Sequence, residues 1–446
     1  MDNSRRRYRR VCAALASGML SLSLVAAASA SDTGSLLSGL DPAAATPAPS
    51  AVAQALAAPL ADGALGGAVV GEVLDARTGA VLWSRSPQAA VMPASTTKLL
   101  TAAAALTVLG PADRPVTGLL STGTVTAGRL QGDLVLHGGG DVLLAAAATG
   151  AWPARADVDQ LAAGLRAAGV TEVTGHLVAD GSLFTGPKTA TGWNGSYVRD
   201  GSVAPVTALG VDEGGPATAH GNRSADPRLA AADALRAALS RQGITVRGRT
   251  VIGSAPARAR TLTEVSGPTV LTSVEEMLQN SDNDAAEALG RRVAIRKGLP
   301  ATFEGAARAV TDAVQALKVP LPGLHLDDAS GLSRADRIAP ATLVTLLRLA
   351  ASASATGNVL RPLLTGLGIG GFDGTVASRY RTGPAAVGGG LVHAKTGALE
   401  GVTSLAGTVV DSHGRQLIFA WITDAVTSRP QAEAAVDRAA AALAAL

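Results

Sequence analysis

The chain has 446 residues, enough for a large core and two domains, and a hydrophobic content of 47% that excludes a disordered protein. Aromatic residues are only 2%, so the core must be aliphatic. Of the net charge of +3, residues 1–30 supply +4 (five arginines and Asp2), leaving about −1 for the rest. The basic balance therefore carries no argument for nucleic acid, and no nucleic-acid partner is expected.

Arg5, Arg6, Arg7, Arg9 and Arg10 precede an apolar run from Val11 to Val25, and Ala28-Ser29-Ala30 follows as a small-residue cleavage site. This pattern predicts a signal peptide over residues 1–30 and export to an extracytoplasmic place such as periplasm, cell wall or medium. Membrane contact is expected only through an uncleaved signal. The single cysteine, Cys12, lies inside this leader, so neither disulfides nor cysteine catalysis are expected of the remainder. Residues 31–55, rich in Ala, Ser and Pro, read as a disordered linker.

A first segment of the main domain is predicted over residues 56–114. Apolar runs on either side of Ala76-Arg77-Thr78-Gly79 read as a β-hairpin, and Lys98 to Leu109 as a helix with Ser95 at its N-terminus. Residues 115–260 turn β-rich and read as an inserted domain. Within it, Leu165–Thr171 leading to Gly175–Val178, and Leu239–Thr245 leading to Gly248–Ile252, repeat one order: helix, glycine stop, strand. Residues 261–446 form the second segment: a helix ending near Asn280, another over 285–297, strands at 391–399, 401–410 and 416–423, and a closing helix at 431–446. That closing helix lacks a basic face, so it reads as core rather than as a membrane foot.

Three short motifs carry chemistry. Ser95-Thr96-Thr97-Lys98 sets a lysine one helical turn from a serine, Ser281-Asp282-Asn283 sits between two helices, and Lys395-Thr396-Gly397 lies on a strand. Each alone is weak, since Ser95 also suits an N-cap and Asn283 a turn. The cations sharpen the reading: only five of the 38 are lysines, and two of those five are Lys98 and Lys395. Arginine stays protonated inside proteins, whereas lysine can lose its proton when desolvated or set beside another cation.

The stretches Pro93–Leu106, Gly138-Gly139-Gly140-Asp141, Asp328-Ala329-Ser330-Gly331-Leu332-Ser333-Arg334 and His393–Gly407 resemble the D-alanyl-D-alanine carboxypeptidase/endopeptidase family of low-molecular-mass class C penicillin-binding proteins. The resemblance covers roughly residues 60–446. It implies an α+β fold: a transpeptidase/β-lactamase-like domain with a five-stranded antiparallel sheet flanked by helices, plus an inserted β-rich domain. The insertion looks short, so the family's further small domain is expected to be trimmed. The implied function is an exported serine D-Ala-D-Ala carboxypeptidase, with endopeptidase work alongside. It would hydrolyse peptidoglycan stem peptides through an acyl-serine and be acylated by β-lactams. A serine β-lactamase and a non-catalytic binder of β-lactams or wall peptides are the other readings.

Serine needs a base within hydrogen-bond reach, and the histidines, His393 included, form no recognisable arrangement, so Lys98 is the candidate base for Ser95. Burial and the neighbouring Lys395 are expected to lower its proton affinity. Ser281 is read as a proton relay, Asn283 as holding Lys98 and a peptide carbonyl, and Lys395 with Thr396 as meeting a substrate carboxylate. Gly397 is read as room for the ligand backbone, and the N–H groups of Ser95 and Ala398 as the oxyanion site. Ala398 stands where relatives carry a hydroxyl residue. Ser330, Leu332 and Arg334 are implied to line the cleft, and Asp180 is the nearest match to a substrate contact from the insertion. No metal-ligand spacing is present, and no cofactor is expected.

Overall fold

The computed structural model describes residues 40–41, 43–66, 69–150, 154–215 and 223–446. The signal-peptide reading of residues 1–30 lies outside them. The linker reading of 31–55 needs correction at its end, because Pro49–Ala57 is a helix (α1) with Val52 and Leu56 fully buried. Their i, i+4 spacing makes an apolar stripe that the Ala/Pro composition hides.

The hairpin forms as β1 (Val70–Asp75) and β2 (Val81–Arg85). Next comes α2 (Lys98–Val108), buried on every side from Lys98 to Leu106 and therefore a central helix. The insertion supplies β3 (Val116–Ser121), β4 (Thr124–Thr126), β5 (Arg129–Gln131), β6 (Leu134–His137), α3 (Val158–Ala167), β7 (Glu172–Val173), β8 (Leu177–Asp180), α4 (Pro227–Arg241), β9 (Thr245–Val246), β10 (Thr250–Ile252) and β11 (Arg260–Ser266). The chain continues with α5 (Val270–Asn280), α6 (Asn283–Arg296), α7 (Phe303–Ala316), α8 (Pro340–Ala351) and the short α9 (Ala355–Leu360) and α10 (Pro362–Thr365). It ends with β12 (Gly368–Ile369), β13 (Val392–Leu399), β14 (Val402–Val410), β15 (Gln416–Thr423) and α11 (Arg429–Ala444).

The main sheet is antiparallel, in the order β12-β13-β14-β15-β1-β2, so a two-residue edge strand extends the expected five. Strand β15 shows how it is held. Leu417, Phe419 and Trp421 pack on one face with α1 and α11, while Ile418, Ala420 and Ile422 pack on the other with α2, α5 and α8. Burial on both faces requires an apolar residue at nearly every position, which explains why the run does not alternate with polar residues. The closing helix is core, as its lack of a basic face suggests. Among the described residues, no single helix is long and apolar enough to cross a membrane.

The insertion folds as a unit with its own layers. It holds a five-stranded sheet (β10-β8-β6-β3-β11), a four-stranded sheet (β4-β5-β7-β9) and a core of its own around Leu119, Leu136, Leu161, Leu165, Leu177, Leu235 and Leu239. The two repeated units lie side by side: α3 packs on α4, β7 pairs β9, and β8 pairs β10, both pairs parallel and in matching register. Between β8 and α4, residues 181–215 leave the insertion's sheets and run back to the main domain.

Candidate active site

Ser95 lies in a 3-10 turn, Ala94–Thr97, that feeds α2. Ala94 before it has φ +51°, a conformation that costs a non-glycine residue about 1–2 kcal/mol and is typical of positions forced by their surroundings. The turn is held from both sides. The hydroxyl of Ser404 on β14 donates to the Pro93 carbonyl at 2.7 Å. On β13, a Cβ added to Gly397 would come within 2.1 Å of that hydroxyl and 2.7 Å of the same carbonyl. The missing side chain of Gly397 therefore makes room for the turn that carries Ser95.

Lys98 is wholly buried, and its Nζ donates to Ser95 Oγ at 2.9 Å, Asn283 Oδ1 at 2.6 Å and the Ser330 carbonyl at 2.7 Å. Burial lowers its pKa to about 8, against the pull of the carboxylates Asp328, Asp282, Glu287 and Asp284. Lys395 is equally buried, and its Nζ donates to Ser281 Oγ and to the Thr396 carbonyl, each at 2.9 Å. Burial, and then the charge on Lys98, hold its pKa well below the ordinary lysine range. The site thus stores two buried amines with weakened hold on their protons.

Ser281 closes α5 at φ +58° and Asn283 opens α6, so the loop between two helices presents both side chains. The structure brings together Ser95, Lys98, Ser281, Asn283, Lys395, Thr396 and Gly397, with Ala398 next on the strand. The 328–334 stretch enters differently from expectation. Ser330 is fully buried and Leu332 nearly so, and neither side chain lines a cleft. What Ser330 offers Lys98 is its carbonyl. Arg334 is exposed and donates to the Glu400 carbonyl at 2.9 Å, at the tip of the β13–β14 hairpin. Asp180 is not among the groups around Ser95. Its carboxylate is filled by the backbone N–H groups of Ser182 and Ala255 and by His137, at 2.9, 2.8 and 2.8 Å, which hold its pKa far below the carboxylate range against the effect of burial.

Several supporting groups carry little or no sequence signal. Glu287 on α6 is fully buried and accepts from the N–H groups of Ala329 and Ser330 at 3.1 and 2.9 Å, fixing the peptide whose carbonyl meets Lys98. Burial, reinforced by Asp328, raises its pKa to about 8. Asp328 accepts from the N–H groups of Ser330, Gly331 and Ser333 and from the indole of Trp193. Gly331 sits at φ +82°, where a Cβ would lie 2.0 Å from the Ala94 carbonyl, so this loop and the Ser95 turn can meet only through a glycine. From the insertion, the Ser202 carbonyl accepts from Asn283 Nδ2 at 2.7 Å, which orients the amide with its oxygen towards Lys98. The 3.6-residue period places Asn283 and Glu287 on one face of α6, a readable hint. A backbone carbonyl such as that of Ser202 leaves none.

A buried lysine on a serine hydroxyl, braced by an asparagine and a carbonyl, suits nucleophilic acyl transfer. Among the described residues, no cluster of His, Cys, Asp and Glu could hold a metal. Comparison with known proteins points the same way. Residues 52–221 and 215–446 match the D-Ala-D-Ala carboxypeptidase 3 (S13) family. A carboxypeptidase of Mycobacterium tuberculosis is 38% identical, covering 85% of this chain and 81% of that protein. Carboxypeptidase DacB of Mycolicibacterium smegmatis is 37% identical over 91% of this chain and 86% of its own. In structure, the fold matches penicillin-binding protein 4 of Haemophilus influenzae with a TM-score of 0.74 at 22% identity, covering 88% of this chain and 98% of the other. With both segments of the main domain and the insertion inside the match, the chain belongs to the D-Ala-D-Ala carboxypeptidase 3 (S13) family.

Proposed function

We propose that the protein is an exported serine carboxypeptidase that removes the terminal D-alanine from peptidoglycan stem peptides. The observation that carries this is Lys98 Nζ, 2.9 Å from Ser95 Oγ and with its pKa drawn down to about 8. Neutral Lys98 takes the Ser95 proton as the oxygen attacks the peptide carbonyl. The N–H groups of Ser95 and Ala398 receive the developing oxyanion. Asn283 keeps Lys98 in place with its amide oxygen, and its second N–H is free for the substrate's backbone carbonyl. Ser281 hands its proton to the departing amine and is resupplied with the proton that Lys98 took from Ser95, while Lys395 holds the Ser281 oxygen in place. Thr396 and Lys395 meet the terminal carboxylate, whose negative charge restores the proton affinity that burial takes from Lys395. Water then releases the acyl group from Ser95, and a β-lactam that acylates the same serine blocks the cycle.

Export rests on the arginine-rich start, the apolar run after it and Ala28-Ser29-Ala30, and it places the enzyme beside its wall substrate. We read residues 56–114 and 261–446, with α1 packed against their sheet, as the catalytic domain, and 115–260 as an insertion whose returning segment braces Asn283 and the 328–334 loop.

The test is release of D-alanine from a synthetic stem pentapeptide, with Ser95→Ala as the inactive control. Because Lys98 must be neutral to act, the rate is expected to rise with pH through about 8 and to fall as Lys98 gains its proton below that. A rate independent of pH from 6 to 9 would remove Lys98 as the base. Rapid penicillin hydrolysis without peptide turnover would mark a β-lactamase instead.

A further inference from the structure

Thr396 has a neighbour that no motif contains. Its hydroxyl donates at 2.8 Å to the hydroxyl of Thr375, which belongs to a 3-10 turn (Gly374–Val376) between β12 and β13. We propose that Thr375 is a further substrate-binding residue: it forms with Thr396 a two-hydroxyl cradle for the substrate's terminal carboxylate, replacing the hydroxyl lost at Ala398. This rests on the carboxypeptidase reading and deepens it by naming the group that selects a free carboxylate.

Three observations carry the inference. First, the geometry: two hydroxyls in hydrogen-bond contact have the spacing needed to donate one bond to each oxygen of a single carboxylate, the paired arrangement that gives carboxylate recognition its specificity. Without ligand, one hydroxyl must donate to the other. When a carboxylate arrives, both can turn their protons to it, so the pair is already placed before binding. Second, exposure: Thr375 is exposed and Thr396 half-buried, so this pair faces solvent, whereas Lys395 lies wholly buried beneath the strand. A carboxylate entering from solvent can therefore reach the hydroxyls without displacing any buried group. Third, the turn is held rather than loose. The Asp373 carboxylate accepts from the Ile369 N–H at 2.6 Å, and Gly374 packs on the backbone of Gln279, two residues before Ser281. The turn is therefore wedged between the serine loop and the Lys-Thr-Gly strand, so its hydroxyl stays registered with both.

The replaced group explains why the extra hydroxyl matters here. A side-chain donor at position 398 would reach the carboxylate from the strand itself, and alanine offers only its backbone N–H, already assigned to the oxyanion. Lys395 supplies charge but, as a single point donor, little directional discrimination.

The experiment compares two peptides, one ending in free D-Ala-D-Ala and one ending in its carboxamide, and reads the ratio of kcat/KM between them for each variant. Thr375→Val is expected to lower the carboxylate-to-carboxamide ratio about tenfold, the loss of one hydrogen bond to a charged group. Thr375→Ser should keep the wild-type ratio, and Thr375→Val with Ala398→Ser should recover most of it. A structural role for Thr375 would lower both rates together and leave the ratio unchanged, and that outcome overturns the proposal. Failure of the wild-type protein to cleave either peptide would instead sink the carboxypeptidase reading, so the two failures are separable.

Discussion

Lys98→Arg is expected to lower the second-order rate of Ser95 acylation by about 10²–10⁴-fold, the usual cost of losing a general base. Arginine keeps the positive charge and can still donate to Asn283 Oδ1 and the Ser330 carbonyl, the contacts that anchor the native amine. It cannot take a proton from the serine, because a guanidinium does not deprotonate in proteins. Misfolding is the competing explanation, and Lys98→Met addresses it. Methionine is close in length but leaves Asn283 Oδ1 and the Ser330 carbonyl without a donor, so it should be less stable than the arginine variant while acylation is lost to the same degree, which separates stability from rate. Acylation by a β-lactam and the thermal midpoint, measured on both variants, decide the matter. An arginine variant that keeps a tenth or more of the wild-type rate would show that Lys98 works by charge alone.

Spacing made the groups of the proposed active site legible because each motif is local. Ser95 and Lys98 meet across one helical turn, Ser281 and Asn283 share one loop, and Lys395 and Thr396 are adjacent on a strand. Apolar runs around glycine turns and glycine stops after helices likewise marked the elements close to their true bounds. What spacing does not carry is which atom of a residue is used. Ser330 stands in a motif but acts through its carbonyl, with its hydroxyl buried and unpartnered. Gly397 makes room for the Pro93 carbonyl and the Ser404 hydroxyl. Asp180 lies in a likeness to a known contact, yet here it is occupied by Ser182, Ala255 and His137. Thr375 and Ser202 approach the site from segments distant in sequence, and only the fold brings them there.

Asp328→Ala should have the largest effect on stability, a loss of about 3 kcal/mol, because several buried N–H donors would lose their acceptor and each orphan costs about 1–3 kcal/mol. The carboxylate is fully buried and joins three parts: the peptides of residues 330–333, the indole of Trp193 from the insertion and, through the Ser330 carbonyl, Lys98. Asp328→Asn should be nearly as damaging despite its similar shape. Each carboxylate oxygen accepts two donors, so an amide NH₂ in either place would face N–H groups instead of receiving them. Acylation should fall with stability in both variants, since the loop that carries the Ser330 carbonyl is no longer fixed. Urea unfolding of the full chain gives the first quantity and penicillin acylation the second. An asparagine variant of native stability would show that the loop is held by other contacts.

The assignment of Ser95 as the nucleophile, on which every proposed role depends, is tested most directly by mass spectrometry of the intact protein after exposure to penicillin, followed by peptide mapping. The expected result is one adduct per chain, on the peptide that contains Ser95, and none in Ser95→Ala. An adduct on another peptide, or none with the wild-type chain, would contradict it.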